Sequence, residues 1–248
     1  MRIDFLTLFP DLCERVTGES ILGRAQAKGC LEIHCHNIRD YTLNKQKQVD
    51  DAPFGGGMGM VMQAQPIYDC FMAVCEQIGQ RPYLIYMSPQ GKTLTQARAV
   101  ELSKLPYMSI LCGHYEGVDE RVIEEIVDEE ISIGDYVLTC GELPGLVLAD
   151  VVARLTPGVL TSEECFMQES HYEGLLEYPH YSRPREWKGR EVPEVLLSGH
   201  HANIAAWRRK EMLKRTLVKR PDMLERADLS EQDRAYLAEF MAMCDSNE

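Results

Sequence analysis

The sequence of 248 residues lacks a long apolar run, and this absence excludes several classes of protein. No stretch approaches the roughly 20 apolar residues that a helix needs to cross a bilayer. The opening residues, MRIDFLTLFP, are too short and too acidic for a secretory signal. We therefore expect a cytoplasmic protein that has no membrane partner.

The nine cysteines lack the paired spacing of a disulfide framework or a structural zinc site, because no CxxC occurs. One cluster, CLEIHCH, brings two cysteines and two histidines together. Period-two alternation accounts for this cluster, with Leu31, Ile33 and Cys35 facing a core and His34 and His36 facing away. A metal site is the weaker alternative, since structural zinc usually takes its ligands from two separated pairs.

Common nucleotide-binding loops are also absent. Residues 91–93 read GKT, but Tyr86 stands where a P-loop requires its first glycine. The run GGGMGM at residues 55–60 does not join a strand to a helix, and no fitting acidic residue follows it. A flexible turn is the alternative for this run. The sequence shows no order of residues typical of a Ser-His-Asp or Cys-His catalytic site.

Charge is distributed unevenly along the chain. A net charge of −13 argues against a protein that coats nucleic acid indiscriminately. Residues 181–221 nevertheless hold eleven basic and four acidic residues, whereas residues 116–142 hold ten acidic residues and one arginine. The basic segment indicates a local anionic partner, and a merely solvated basic helix is the alternative.

Short apolar runs alternate with amphipathic stretches over the first two thirds of the chain. Ser20 should cap the first helix and Gly29 should stop it. Strands are predicted at residues 2–9, 31–38, 83–88, 107–112 and 129–134, and helices at 20–29, 66–79, 95–104, 119–127 and 143–155. This order predicts an α/β fold with a mostly parallel sheet and helices on both faces.

The last third of the chain differs in character. Helices are predicted at residues 200–221 and 230–244 without any strand signal, which indicates a small all-helical C-terminal domain. We therefore expect an α/β domain at residues 1–160, a linker at 161–193 and a helical domain at 194–248. The linker carries Glu169, Glu173 and Glu177 four residues apart, which on a helix would form only a solvated acidic stripe. Gly174 and Pro179 argue against such a continuous helix.

Three loops follow predicted strands at what should be one edge of the sheet, where such folds bind ligands. The first loop is SPQGKT (residues 88–93), the second is CGHYEGVDER (112–121) and the third is SIGDYVLTCGELPG (132–145). Each has glycine where the backbone must turn tightly or approach a ligand closely. The residues alone thus predict a three-loop pocket, but no reaction.

These loops resemble those of the bacterial tRNA (guanine-N1)-methyltransferases of the SPOUT superfamily. Further matching stretches are FGGGMGM, ARLTPGVL, GLLEYPHYSRP, VPEVLLSGHHANIAAWR and LKRT…KRP, in one order from Phe54 to Pro221. The resemblance implies methyl transfer from S-adenosylmethionine to N1 of the guanosine immediately 3′ of the anticodon in tRNA. It also implies a deep trefoil knot, a homodimer with active sites between subunits, and support of the reaction by Mg²⁺.

The resemblance assigns catalytic roles to two residues. Glu169 stands where the family has an aspartate that removes the N1 proton, and a base is needed because this nitrogen is protonated at neutral pH. Arg154 would stabilise the negative charge that grows on the guanine carbonyl. The alternatives are a solvated linker acid for Glu169 and a helix-end arginine for Arg154.

The resemblance also assigns binding residues. Backbone groups of the three loops would hold the cofactor. Glu116 would bind the ammonium group of its methionine part or help to hold magnesium. For Leu138 and Pro144 the alternative is a place in the core. The cofactor set is Tyr86, Ser88, Pro89, Gly113, Tyr115, Glu116, Gly117, Ile133, Gly134, Asp135, Tyr136, Val137, Leu138, Gly141 and Pro144. The set for tRNA phosphates and the extruded base is His180, Tyr181, Arg183, Arg208, Arg209 and Arg215.

Four positions depart from the family pattern. Cys140 replaces a glycine that usually precedes Gly141, so we expect a side chain where close backbone approach is needed. His171, Glu177 and His200 replace an aromatic residue, an aspartate and an asparagine. A protein of the same fold that binds S-adenosylmethionine or RNA without catalysis is one alternative function, and a related SPOUT enzyme with another RNA target is a second.

Overall fold

A computed structural model describes residues 1–162, 166 and 169–245 of the chain. The chain divides into two compact units, Met1–Glu163 and Glu164–Glu248. The predicted linker at 161–193 includes residues 163–165 and 167–168, which lie outside the described part. The division into three parts that the sequence suggests stays a prediction.

The first unit is a mixed α/β structure. Its strands are β1 (Arg2–Thr7), β2 (Glu32–Asn37), β3 (Asp50–Asp51), β4 (Val61–Met62), β5 (Tyr83–Thr93), β6 (Tyr107–Cys112) and β7 (Glu129–Ser132). Its helices are α1 (Pro10–Thr17), α2 (Ser20–Ala27), α3 (Ala64–Ile78), α4 (Gln96–Leu102), α5 (Glu120–Ile126) and α6 (Glu142–Ala153), with a 3₁₀ turn at Ile38–Tyr41.

The central sheet has the strand order β2-β1-β6-β5-β7, and every neighbouring pair is parallel. This sheet confirms the predicted α/β class. The antiparallel pair β3–β4 was not predicted, because two-residue strands are too short to show a period.

Both faces of the sheet are covered, as its alternating residues show. Ile3 and Phe5 of β1 belong to one core cluster, whereas Leu6 belongs to the other. Helix α6 packs in the first cluster and α3 in the second. The prediction of helices on both faces is therefore confirmed.

The CLEIHCH stretch alternates as predicted. Ile33 and Cys35 pack against the first core cluster, while Nε2 of His36 lies 2.8 Å from Oδ1 of the buried Asp4. Burial alone would raise the pKa of Asp4, but hydrogen bonds from His36 and Arg2 outweigh burial and lower this pKa below its ordinary value. Hydrogen bonds with Asp4 thus account for the position of His36.

Two helix boundaries test the capping predictions. Ser20 does not cap α2, because Glu19 holds the N-cap position in extended backbone and Ser20 is already the first helical residue. Gly29 does stop the helix: it follows the C-cap residue Lys28 and adopts a φ of +72°. Helix α1 was not predicted.

Strand β5 extends beyond its predicted end at residue 88. Both Met87 and Lys92 pair with Ile131, so the residues between them bulge out of the sheet as the first loop. A Cβ on Gly91 would lie 2.4 Å from the carbonyl carbon of Glu130, so only glycine allows the bulge to pass β7 this closely.

The second unit contains helices and one hairpin. Its elements are β8 (Glu186–Trp187), β9 (Arg190–Glu191), a 3₁₀ turn at Glu194–Leu197, α7 (His201–Lys219), α8 (Pro221–Leu224) and α9 (Glu231–Asp245). Leu175, Met212, Leu213 and Leu237 form its core. Helices α7 and α9 lie where the sequence predicts helices, whereas the β8–β9 hairpin was not predicted. No helix in the described part of the chain is long and apolar enough to cross a membrane.

Candidate active site

A cavity of about 350 Å³ lies at the carboxyl ends of β5, β6 and β7. The first, second and third loops line it together, with Tyr86 from β5 and Pro144 from the start of α6. The prediction that these loops meet at one edge of the sheet is confirmed.

Most residues that the resemblance assigns to the cofactor line this cavity. They are Tyr86, Ser88, Pro89, Gly113, Tyr115, Glu116, Gly117, Ile133, Gly134, Tyr136, Val137, Leu138, Gly141 and Pro144. Asp135 is exposed on the third loop and is not among the lining residues. The role of the set in cofactor binding stays a prediction.

The second and third loops approach each other at Gly141. Its backbone N–H donates to the carbonyl of Gly113 at 2.8 Å, and a Cβ at this position would lie 2.5 Å from the nitrogen of Gly113. This close contact falls on Gly141, while the half-buried Cys140 lines the cavity. The effect of the Cys140 side chain on the approach stays a prediction.

Tyr86 forms one wall of the cavity beneath the second loop. A Cβ on Gly113 would lie 2.9 Å from the Tyr86 ring, so glycine is needed for the ring to pack there. Burial, with a smaller contribution from Glu130, raises the pKa of Tyr86 to about 12. The hydroxyl therefore stays protonated at neutral pH and can donate a hydrogen bond.

A buried carboxylate joins three separate segments behind the cavity. Glu142, the first residue of α6, is fully buried. Its Oε1 accepts from the hydroxyl of Thr7 at 2.5 Å, and its Oε2 lies 2.7 Å from Nε2 of His114. Since an ionised carboxylate only accepts, Nε2 of His114 carries the hydrogen.

The pKa of Glu142 reflects this environment. Burial raises it, but hydrogen bonds from His114 and Thr7 outweigh burial, so that the pKa lies below its ordinary value. This network was not predicted. The only feature of the sequence that points to it is an acidic residue, Glu142, at the start of an otherwise apolar helix.

The glycine-rich run is tied to the second loop by backbone hydrogen bonds. Glu116 N–H donates to the carbonyl of Met60, and Met62 N–H donates to that of Gly117, each at 2.9 Å. The side chain of Arg39 donates to the hydroxyl of Tyr115 at 3.5 Å. The wall of the cavity thus depends on segments outside the three loops.

The two predicted catalytic residues belong to different units. Arg154 is the half-buried C-cap residue of α6 in the first unit. Glu169 is half-buried in the second unit, where its backbone N–H donates to the carbonyl of Phe166 at 3.3 Å. Both side chains have interaction partners. Their catalytic roles stay predictions.

The predicted tRNA-binding residues have varied surroundings in the second unit. Arg183 is exposed, His180 bonds Glu177 at 2.7 Å, and Tyr181 lies beside Trp207 with ring centroids 6.4 Å apart. Arg208 lies over the ring of Tyr178 at 4.6 Å, and Arg215 is half-buried.

Arg209 is already paired within the second unit. Its guanidinium donates to both carboxylate oxygens of Asp233, at 3.1 and 2.8 Å. The hydrogen bond from Arg209 lowers the pKa of Asp233 to about 2. Arg209 therefore joins α7 to α9, and its contact with tRNA stays a prediction.

In the described part of the chain, no group of three or more His, Cys, Asp or Glu side chains is placed to hold a metal ion. We assign no residue to magnesium.

These features define an α/β protein with a ligand-sized cavity at the carboxyl ends of its parallel strands. A family described as tRNA (Guanine-1)-methyltransferase TrmD matches residues 1–226. The chain belongs to this family, and the resemblance drawn from its loop motifs is confirmed.

Curated relatives agree with this assignment, and each is named tRNA (guanine-N(1)-)-methyltransferase. The protein of Ruminiclostridium cellulolyticum is 61% identical over 226 residues, which cover 91% of this chain and 97% of the relative. That of Alkaliphilus metalliredigens is 52% identical, with coverage of 97% and 98%. That of Bacillus subtilis is 49% identical, with coverage of 97% and 99%.

Replacing Glu142 by glutamine tests the buried network. Removing its charge should lower the free energy of unfolding by about 1.5–3 kcal/mol, since hydrogen bonds to a charged group are lost. Because the folded pKa is depressed, the stabilisation by Glu142 is present above its usual value of 4.5 and is lost as the pH falls through the folded value.

Urea unfolding between pH 3 and 7 measures this effect. Glu142→Gln should reduce stability at neutral pH and flatten its decline on the acid side, whereas Glu124→Gln, at an exposed position of α5, should change neither. Equal stability of Glu142→Gln and wild type at pH 7 would contradict the account of the network.

Proposed function

We propose that this chain transfers a methyl group from S-adenosylmethionine to N1 of the guanosine immediately 3′ of the anticodon in tRNA. Family membership supports the reaction class. The cavity is the main structural support for the proposal. Nearly all the residues that the family resemblance assigns to the cofactor line it.

The cavity fits a nucleoside-sized cofactor. Its volume of about 350 Å³ lies in the range of small-molecule sites. Gly117 and Gly134, at φ of +135° and +150°, leave backbone groups free of side chains in its wall. Ile133 and Leu138 offer apolar surface, and Glu116 offers a carboxylate for the methionine ammonium. When bound, the cofactor supplies an electrophilic methyl group.

Two side chains act on the guanine. Glu169 accepts the proton from N1, so that the ring nitrogen has a free electron pair as it reacts. Arg154 donates hydrogen bonds to the guanine carbonyl oxygen, where the negative charge grows as the proton leaves. The half-buried settings of both residues support these roles, because partial exclusion of water strengthens a charged hydrogen bond.

A homodimer with active sites between subunits is part of the proposal. Helices α1 and α6 pack together and leave large apolar side chains exposed on the first unit. These are Phe9, Leu12, Val16, Leu143 and Val147, each between 38% and 50% exposed. Exposed apolar side chains on two packed helices favour burial against a second copy.

A trefoil knot is proposed for the cofactor-binding region. The chain leaves β7 at the edge of the sheet and returns as α6 to β6 and β1 in its middle. Residues of this return and of the first loop line the same cavity, and Gly91 of the first loop lies against β7. This proximity supports the proposed knot.

The proposal has three further parts. The magnesium requirement rests on the resemblance alone. An all-helical domain for tRNA at the C-terminal end and a cytoplasmic location rest also on the sequence patterns.

Methyl transfer to tRNA transcripts tests the proposed function. With labelled S-adenosylmethionine, a transcript that has guanosine after the anticodon should be methylated at N1, and the same transcript with adenosine there should not. Cofactor binding without transfer would favour a non-catalytic binding protein. Methylation at another nucleotide would favour a different RNA target.

Replacing Glu169 by glutamine tests the base. The rate of the chemical step should fall roughly 10²- to 10⁴-fold, because glutamine cannot accept the proton, while cofactor affinity stays nearly unchanged. Glu173→Gln is the matched control, since Glu173 is an exposed glutamate of the same segment. An unaltered single-turnover rate for Glu169→Gln would remove this residue from the mechanism.

Mixing two inactive variants tests whether the active sites lie between subunits. If Arg154 and Glu169 act from different subunits, co-expressed Arg154→Ala and Glu169→Gln chains should recover about a quarter of wild-type activity, through heterodimers that each keep one intact site. Co-expression of two differently tagged Glu169→Gln chains is the control. Isolated heterodimers as inactive as either parent would contradict the arrangement.

A further inference from the structure

The β8–β9 hairpin presents an exposed tryptophan between two cations. Lys188 and Gly189 form its turn with φ of +51° and +73°, which is typical of a tight two-residue connection. Trp187 is directly opposite Arg190 in the pairing register, so both side chains lie on one face. The Lys188 ammonium lies 4.9 Å from the centre of the Trp187 ring.

Among the described residues of the second unit, none accounts for the exposure of this hairpin. All residues from Tyr181 to Arg190 are exposed, and Trp187 is 60% exposed. The core of the unit is formed by Leu175 and residues of α7 and α9, without any residue of the hairpin. An exposed indole beside two cations offers a ring face and positive charges that a partner can contact together.

Charge identifies the kind of partner. Residues 183–190 contain four basic residues and one acidic residue, in a chain whose net charge is −13. Arginine and lysine contact phosphates, while an aromatic ring stacks on an unpaired base or packs against a ribose. A polyanion with exposed bases therefore fits this surface better than an apolar protein segment.

We propose that the β8–β9 hairpin is an RNA-contacting element, in which the Trp187 ring packs on a base or ribose and Lys188 and Arg190 contact phosphates. This inference rests on the proposed function for its RNA. It adds an element that sequence patterns did not predict, since two-residue strands carry no period and neither tryptophan was assigned a role.

Replacing Trp187 by alanine tests the stacking contact. The dissociation constant for unmodified tRNA should rise roughly 5- to 50-fold, while that for S-adenosylmethionine stays unchanged. Trp187→Phe should restore most of the affinity, because a ring remains. Unchanged tRNA affinity in Trp187→Ala would overturn the proposal.

Salt dependence tests the phosphate contacts separately. Lys188→Ala and Arg190→Ala should each lower the slope of log affinity against log salt by about 0.7–0.9, the contribution of one phosphate contact. Lys104→Ala, at an exposed lysine of the first unit, is the matched control and should leave the slope unchanged. Slopes equal to wild type in both hairpin variants would contradict these contacts.

Fluorescence offers a direct readout, because the chain has only two tryptophans. In Trp207→Phe, emission comes from Trp187 alone and should be quenched by tRNA but not by S-adenosylmethionine. If Trp187→Ala changes the sedimentation of the protein but not its tRNA affinity, the hairpin contacts a second copy and the proposal is wrong. Hairpin-dependent tRNA binding without methyl transfer would refute the proposed function alone.

Discussion

The site depends on the hydrogen bonds that the buried carboxylate of Glu142 accepts. It connects residues far apart in sequence, because Thr7 is 135 positions away and His114 is 28 positions away. A buried charge that loses its hydrogen-bond partners raises the free energy of the folded state. Separating the end of β1, the second loop and the start of α6 would therefore cost free energy. The adjacent contact between Gly141 and Gly113 then sets the spacing of two cavity walls.

The two units differ in how their charges are distributed along the chain. The cavity lies in an acidic unit and is lined largely by backbone and uncharged side chains, which suits a small cofactor. The basic segment of residues 181–221 lies in the second unit, where it can attract an RNA backbone from a distance. In the proposed function, the acidic remainder of the chain limits RNA binding outside this basic segment.

The fold was largely predictable from sequence, and the site was predictable in part. Alternation in β1 and β2 places Phe5 and Ile33 in the core as expected, and glycine-bearing loops after strands indicated the cavity. The role of Glu142 could not be read from its neighbours, because both of its partners come from distant segments. The β5 bulge and the β8–β9 hairpin were not predicted either, because pairing between short segments depends on tertiary structure rather than on periodicity. The family, in contrast, could be identified from sequence. Its identification rested on several loop motifs in one order, because no single motif is specific enough.

The most direct test of the account is a crystal structure of the protein with bound S-adenosylhomocysteine, the product of the cofactor. The account predicts that this ligand occupies the cavity among Tyr86, Gly113 and Leu138, with the carboxylate of Glu142 still bonded to Thr7 and His114. Density for the ligand at another place, or a cavity that binds it only after these hydrogen bonds break, would contradict the account.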